Sequence, residues 1–156
     1  MEKILISACL AGDLVRYDGK RRMLKNVLLN RWQDDKRLIK VCPEVAGGMK
    51  VPRLPAQIVN GDGLNVLKGK ARIKDTGGCD VTGFFIKGAE YALSMAKEFN
   101  IRLAILKEKS PSCGVHLIYD GNFTSTLLPG SGVTAALLKE NGISLFSENE
   151  INLIEK

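Results

Sequence analysis

Three short apolar runs, each followed within a few residues by a cysteine, constrain the fold of this chain most strongly. Ile4 to Ile6 precede Cys9, residues 38–41 precede Cys42, and residues 101–107 lead into the loop that carries Cys113. The continuous run Ile4 to Ile6 is typical of a strand that is buried on both faces of a parallel sheet, residues 101–107 also predict a buried strand, and residues 38–41 predict a further strand. Ligands of open α/β sheets bind beyond the carboxyl ends of the strands. Three strand ends that each deliver a thiol therefore predict one shared site.

Helical patterns alternate with these strands. Apolar spacing predicts helices over residues 20–32, over residues 82–100, and from the glycine-rich turn at 130–132 to about residue 140. A last strand is expected at 143–146 and a short terminal helix at 149–156. This alternation predicts a three-layer, Rossmann-like α/β domain with a mostly parallel central sheet. Short strands at 57–60, 64–67 and 71–74 predict a small antiparallel appendage, and residues 116–119 and 122–127 predict a hairpin.

Length and composition indicate one soluble globular domain. The chain has 156 residues, of which 45% are hydrophobic and 26% charged, so we expect a single domain over residues 1–156. No apolar run approaches the roughly 20 residues that span a bilayer, and no signal-peptide pattern is seen. We therefore expect no membrane association and a cytoplasmic location. A net charge of +6 permits an anionic partner but gives no firm indication of nucleic acid, and the oligomeric state is not predicted.

The four cysteines are better explained as metal ligands, nucleophiles or buried thiols than as disulfides, because a cytoplasmic chain keeps its thiols reduced. None of them forms a Cys-x-x-Cys pair, which disfavours a zinc ribbon or a thioredoxin-type site. Three thiolates at one cleft suit a four-iron cluster that leaves one iron open for substrate. The alternative is three small buried apolar side chains. Cys79 precedes a helix, away from the strand ends, and is expected to be structural or incidental.

Several polar residues are candidates for ligand contacts. Glu44 lies two residues after Cys42, where it could project into the same cleft. Arg53 is a plausible ligand contact in a proline-rich extended segment, although Glu44 and Arg53 could instead pair with each other. Arg16 could bind an anion or form a surface ion pair.

Two further features have competing explanations. The turn at Gly130, Ser131 and Gly132 enters a helix, so its N–H groups could bind an anion or simply start the helix. His116 is the one histidine and lies near Cys113, which raises a cysteine-nucleophile hydrolase as a possibility. Neighbours at this spacing need not face each other.

Separated motifs along nearly the whole chain resemble the DUF523 family, whose members include thiouracil desulfurases. The motifs are, in order, Ser-Ala-Cys-Leu-Ala-Gly at 7–12, Arg-Tyr-Asp-Gly at 16–19, Cys-Pro-Glu at 42–44, Gly-Gly at 47–48, Pro-Arg-Leu-Pro-Ala at 52–56, Ser-Pro-Ser-Cys-Gly at 110–114, Tyr-Asp-Gly at 119–121, and Gly-Ser-Gly-Val-Thr-Ala-Ala-Leu-Leu at 130–138. One departure is Val15, where many relatives have a further cysteine.

The resemblance implies a [4Fe–4S] cluster held by Cys9, Cys42 and Cys113, with one open iron. It implies catalytic roles for Glu44 and for a serine of the Ser-Pro-Ser loop, Ser110 first and Ser112 second. The implied reaction replaces the thiocarbonyl sulfur of a thiolated nucleobase or nucleoside, of the 2-thiouracil or 4-thiouracil type, by oxygen without net redox change. A non-catalytic iron–sulfur or metal-binding protein, and the hydrolase using Cys113 with His116, remain the alternatives.

Overall fold

The computed structural model describes residues 2–12 and 26–154. The strands of this part are β1 Ile4–Ser7, β2 Leu38–Val41, β3 Ala56–Val59, β4 Arg72–Asp75, β5 Leu103–Leu106, β6 Leu117–Tyr119, β7 Leu127–Pro129 and β8 Ser144–Ser147. Its helices are α1 Val27–Asp34, α2 Pro43–Ala46, α3 Gly63–Leu67, α4 Thr82–Glu98 and α5 Val133–Glu140, with 3-10 turns at Ala8–Ala11 and Ile151–Leu153.

The central sheet has the strand order β2-β1-β5-β8, and each of its neighbouring pairs is parallel. All four residues of β1 are buried, as the continuous apolar run predicts. On one face of β1, Ile4 and Ile6 pack with Trp32 of α1. On the opposite face, Leu5 packs with Ala92 of α4 and Leu138 of α5. Helices therefore cover both faces, which confirms the predicted three-layer α/β domain with a parallel sheet.

The antiparallel part is smaller than the sequence pattern suggested. β3 pairs with β4, and β6 pairs with β7. The predicted strand at 64–67 is wrong, because this segment is α3. Asp62 starts that helix through a reciprocal cap, in which its side chain accepts from the N–H of Asn65 and the side chain of Asn65 accepts from the N–H of Asp62. A local capping motif outweighed the alternation of apolar residues.

Three other boundaries differ from the sequence prediction. The first helix begins at Val27 after its N-cap Asn26, and the predicted residues 20–25 lie outside the described part. The second hairpin strand is Leu127–Pro129, so residues 122–126, which the prediction assigned to this strand, belong to the connecting loop. The C-terminal segment forms a single 3-10 turn within its described residues. In the described part, no helix has the length and apolar character that a membrane span requires.

Candidate active site

A cavity of about 510 Å³ lies beyond the carboxyl ends of β1, β2 and β5. Its walls include Cys9, Cys42 and Cys113, each delivered by a different strand end. This is the position at which open α/β sheets bind their ligands. Cys79 is exposed and is not part of the cavity wall. The fold thus brings together the three thiols that the sequence singled out and leaves the fourth aside.

The environment of these thiols favours a positively charged partner. Burial raises the pKa of Cys113 to about 12, and the nearby Cys9 and Cys42 raise this pKa further through their charges, against hydrogen bonds from Ser7 and Ser112 that lower it. Burial also raises the pKa of Cys42. Thiolates at this site therefore need a cation to balance them, because binding a metal requires that its cysteine ligands lose their protons.

Thiol side chains are the ligand type that an iron–sulfur cluster requires. In the described residues, no group of three or more His, Cys, Asp or Glu side chains is arranged to hold one metal ion. Cysteine ligands of a [4Fe–4S] cluster bind separate irons of one bulky group, so their sulfurs stay apart around it. Cys9, Cys42 and Cys113 line one cavity of about 510 Å³, which is compatible with this requirement.

Glu44 lies in the first turn of α2, which Pro43 begins directly after Cys42. Its Oε2 accepts from Nε of Arg53 at 2.8 Å and from Nη2 at 2.5 Å, while Oε1 accepts from the hydroxyl of Ser112 at 3.0 Å. Arg53 also donates through Nη1 to the carbonyl of Lys50. The ion pair between Glu44 and Arg53, which the sequence raised as one alternative, is therefore present, and both residues line the cavity. The contacts of Arg53 support a role in orienting Glu44.

The two serines of the loop form a short hydrogen-bonded chain to Glu44. Ser110 Oγ accepts from the N–H groups of Ser112 and Cys113, both at 3.1 Å, and lies 2.9 Å from Ser112 Oγ. Two amides occupy both lone pairs of Ser110 Oγ, so its proton points to Ser112, whose own proton goes to Glu44. Ser112 is the serine in direct contact with the carboxylate, although the family resemblance ranked Ser110 first.

Glu108 holds closed the serine loop, which comprises residues 110–114. The sequence analysis did not identify Glu108 as a site residue. Its Oε1 accepts from the N–H groups of Val115, His116 and Leu117 at 2.7, 2.9 and 3.0 Å. Both ends of the loop are thereby tied to one carboxylate. The available signal in the sequence was a charged residue directly after the run at 101–107 that predicts a buried strand. The structure places Glu108 two positions after the end of β5 and leaves it only 7% exposed.

Lys107, the residue before Glu108, also lines the cavity, and it was not identified as a site residue from the sequence. Its Nζ pairs with Oε2 of Glu148 at 2.9 Å. The backbone N–H of Lys107 donates to Ser7 Oγ at 2.9 Å, which ties the end of β5 to the end of β1.

The turn at Gly130, Ser131 and Gly132 supports the serine loop, and none of these residues lines the cavity. Behind the turn, the N–H groups that begin α5 donate to loop carbonyls: Val133 to Pro111, and both Thr134 and Ala135 to Ser112. Gly132 donates to the carbonyl of Gly114. The geometry therefore favours a supporting role over the predicted anion site, because the helix amides are already used.

Close backbone contact explains why Gly132 is a glycine. A Cβ at this position would lie 2.5 Å from both the carbonyl carbon and the oxygen of Ser112, and 2.7 Å from the oxygen of Pro111. Such distances are well inside van der Waals contact, and backbone atoms cannot rotate away. Any side chain here would push the serine loop from its place.

The structure does not join His116 to Cys113 as a nucleophile pair. His116 Nε2 contacts Glu150 at 2.8 Å, its side chain is 59% exposed, and it is not part of the cavity wall. Cys113 is buried, and its raised pKa opposes the thiolate that a cysteine nucleophile needs. Both observations disfavour the hydrolase alternative. Arg16, predicted as a substrate contact, lies outside the described residues.

The fold and site together define an α/β protein with a cavity that presents three cysteines. The profile of the 2-thiouracil desulfurase family matches residues 4–150, and the chain belongs to this family. It is 46% identical over 149 residues to the uncharacterized protein YbbK of Bacillus subtilis (strain 168), covering 96% of this chain and 97% of that protein. A solved structure of the [4Fe–4S]-dependent thiouracil desulfidase TudS matches with a TM-score of 0.89 and 40% identity, covering 98% of this chain and 95% of that one.

Proposed function

We propose that this protein is a desulfurase that replaces the sulfur of a thiolated pyrimidine base or nucleoside by oxygen, and that Cys9, Cys42 and Cys113 hold a [4Fe–4S] cluster for this reaction. The observation that carries the proposal is the joint presence, in one cavity, of three thiols from three strand ends and the Glu44–Ser112 pair. Membership of the 2-thiouracil desulfurase family supports the same reaction. The cytoplasmic location and the single domain over residues 1–156 stay predictions.

The cluster and the protein have separate tasks in this proposal. A [4Fe–4S] cluster held by Cys9, Cys42 and Cys113 would supply one open iron, which would be a soft site for a thiocarbonyl sulfur. The protein must then deliver water to the carbon that carries the sulfur. One water supplies the new carbonyl oxygen, and its two protons leave with the sulfur as hydrogen sulfide, so no electron donor or acceptor is consumed.

Glu44 is the residue placed to accept a proton from the attacking water. Its two oxygens receive hydrogen bonds from Ser112 and Arg53, but a carboxylate offers about four lone-pair sites, so acceptor capacity remains. Arg53 fixes the plane of the carboxylate from one side, and its side chain is only 7% exposed. A base held in one orientation contributes more to proton transfer than a mobile one.

Ser112 and Ser110 complete this arrangement. Ser112 Oγ also lies 3.6 Å from the sulfur of Cys113, so it connects the carboxylate with one of the proposed cluster ligands. The hydroxyl chain from Ser110 through Ser112 to Glu44 fixes the orientation of the carboxylate, because Ser110 donates to Ser112 and Ser112 donates to Glu44. Ser110 additionally fixes the backbone of the loop, because it accepts the amides of Ser112 and Cys113.

The proposal is tested by anaerobic purification, iron and sulfide analysis, and assays of sulfide release from 2-thiouracil, 4-thiouracil and their nucleosides. We expect iron-dependent sulfide release from at least one of them. Bound iron without sulfide release from any thiolated pyrimidine would favour the non-catalytic metal-binding alternative. Full activity after removal of iron would exclude the cluster from the reaction.

A further inference from the structure

A part of the cavity wall that contains none of the three cysteines comes from β3, the end of β6 and the loop that follows β6. Gln57 on β3 lines the cavity, as do Tyr119, Phe123 and Ser125 of the loop region. The side chain of Ile58 points into the core, so strand alternation places the side chain of Gln57 on the opposite face. Two aromatic side chains and one primary amide thus form this wall.

Gln57 ties the loop to β3. Its terminal oxygen accepts from the N–H of Gly121 at 3.0 Å and from the N–H of Phe123 at 3.2 Å. Gly121 adopts a φ of +93°, and a Cβ there would lie 2.5 Å from the carbonyl oxygen of Ile58, so the loop packs directly on the strand backbone. The position of the Phe123 ring in the cavity therefore depends on Gln57.

These two contacts also fix the orientation of the Gln57 amide. An atom that accepts two backbone N–H groups must be the oxygen, because the NH₂ group has no acceptor capacity. Both lone pairs of Oε1 are then used. Among the described residues, Nε2 has no hydrogen-bond partner in the protein. Gln57 can thus donate a hydrogen bond to a ligand in the cavity but cannot accept one through its oxygen.

We propose that Gln57 is a specificity-determining residue that selects pyrimidines with an exocyclic oxo group over those with an exocyclic amino group. The inference rests on the proposed function and names the substrate class of the same cavity. An oxo group accepts from Nε2, whereas an amino group places donor against donor. Stacking on Phe123 and Tyr119 tolerates any base, so discrimination comes from the amide.

The test compares 2-thiouracil with 2-thiocytosine, which differ at the exocyclic group of C4 and in the proton on N3, so the change of preference in a Gln57 variant is the decisive quantity. For each protein, kcat/KM for sulfide release is measured with both bases. Calorimetric affinities for uracil and cytosine are measured separately, so that the comparison does not depend on turnover. We expect the wild-type protein to prefer the oxo base in both measurements.

Gln57→Glu is the informative variant. Its carboxylate still accepts the amides of Gly121 and Phe123, so the loop stays anchored, but the donor becomes an acceptor. We expect the ratio of oxo to amino base to fall by about tenfold or more in both kcat/KM and affinity. Gln33→Glu is the matched control, because it makes the same change on an exposed position of α1 and should keep the wild-type ratio.

The outcomes separate this inference from the proposed function. If the wild-type protein releases sulfide but Gln57→Glu leaves both ratios unchanged, the role of Gln57 is refuted and the desulfurase proposal stands. If no thiolated base is turned over, the desulfurase proposal fails. The ratio of uracil to cytosine affinity in the wild-type protein and in Gln57→Glu still tests whether Gln57 selects the oxo group. Equal wild-type affinity for uracil and cytosine, or none for either, overturns the inference.

Discussion

Replacing Glu44 by glutamine separates the chemistry of the site from its assembly. Glutamine has nearly the same size but cannot take a proton from water. It offers one oxygen where Glu44 uses two, toward Arg53 and toward Ser112. An amide NH₂ cannot face the guanidinium, so the oxygen must stay with Arg53 and the NH₂ must face Ser112. The hydroxyl of Ser112 would then accept instead of donating.

The structure allows this change to be assigned a magnitude. The side chains of Arg53 and Glu44 are only 7% and 15% exposed, so solvent screens their interaction little. The ion pair with Arg53 becomes a hydrogen bond from a guanidinium to a neutral amide, and the bond to Ser112 becomes neutral, which we expect to lower the free energy of unfolding by about 1–3 kcal/mol. Loss of a positioned base should lower turnover by roughly two to four orders of magnitude. That corresponds to about 3–5 kcal/mol of transition-state stabilisation.

The assay is sulfide released per reconstituted cluster under anaerobic conditions, with iron content and thermal unfolding measured on the same samples. Asp80→Asn is the matched control, because it also removes a carboxylate that pairs with an arginine, Arg72, but at an exposed position away from the cavity. We expect Asp80→Asn to keep the wild-type sulfide release per cluster. A wild-type value for Glu44→Gln would remove Glu44 from the mechanism, and a loss that only follows cluster content would make its role structural.

Three further predictions concern the ligands, the serines and the support of the loop. Serine variants of Cys9, Cys42 and Cys113 should each lose the visible absorbance of the cluster, and Cys79→Ser should keep it; loss of iron in Cys79→Ser alone would contradict the ligand assignment. Ser112→Ala should lower sulfide release per cluster more than Ser110→Ala does, since Ser112 contacts Glu44 directly, and the reverse order would refute this reading of the hydrogen bonds. Gly132→Ala should lower the free energy of unfolding by about 1–3 kcal/mol in denaturant titrations, because its Cβ would meet the backbone of the serine loop. Gly83→Ala in α4, where a Cβ meets nothing within 4 Å, should be neutral or stabilising, and equal effects of the two substitutions would refute the steric argument.

The sequence by itself determined the layered sheet and the convergence of three thiols. A short, continuous apolar run such as Ile4 to Ile6 is typical of a strand covered on both faces, and neighbouring parallel strands end at one edge of their sheet. These two rules are local or topological, so they needed no knowledge of side-chain contacts. They sufficed to separate Cys9, Cys42 and Cys113 from Cys79.

Only the tertiary structure decided which polar groups act together. Ser112 meets Glu44 across 68 positions of sequence, and Gln57 meets Phe123 across 66. The same holds for the α5 amides, which donate to the serine loop. Hydrogen bonds of this kind depend on the distance and direction of groups carried by different elements, and residue spacing along the chain contains neither quantity. Apolar burial specifies the layers, whereas the contacts of the serines, Arg53 and Gln57 follow from how those layers pack.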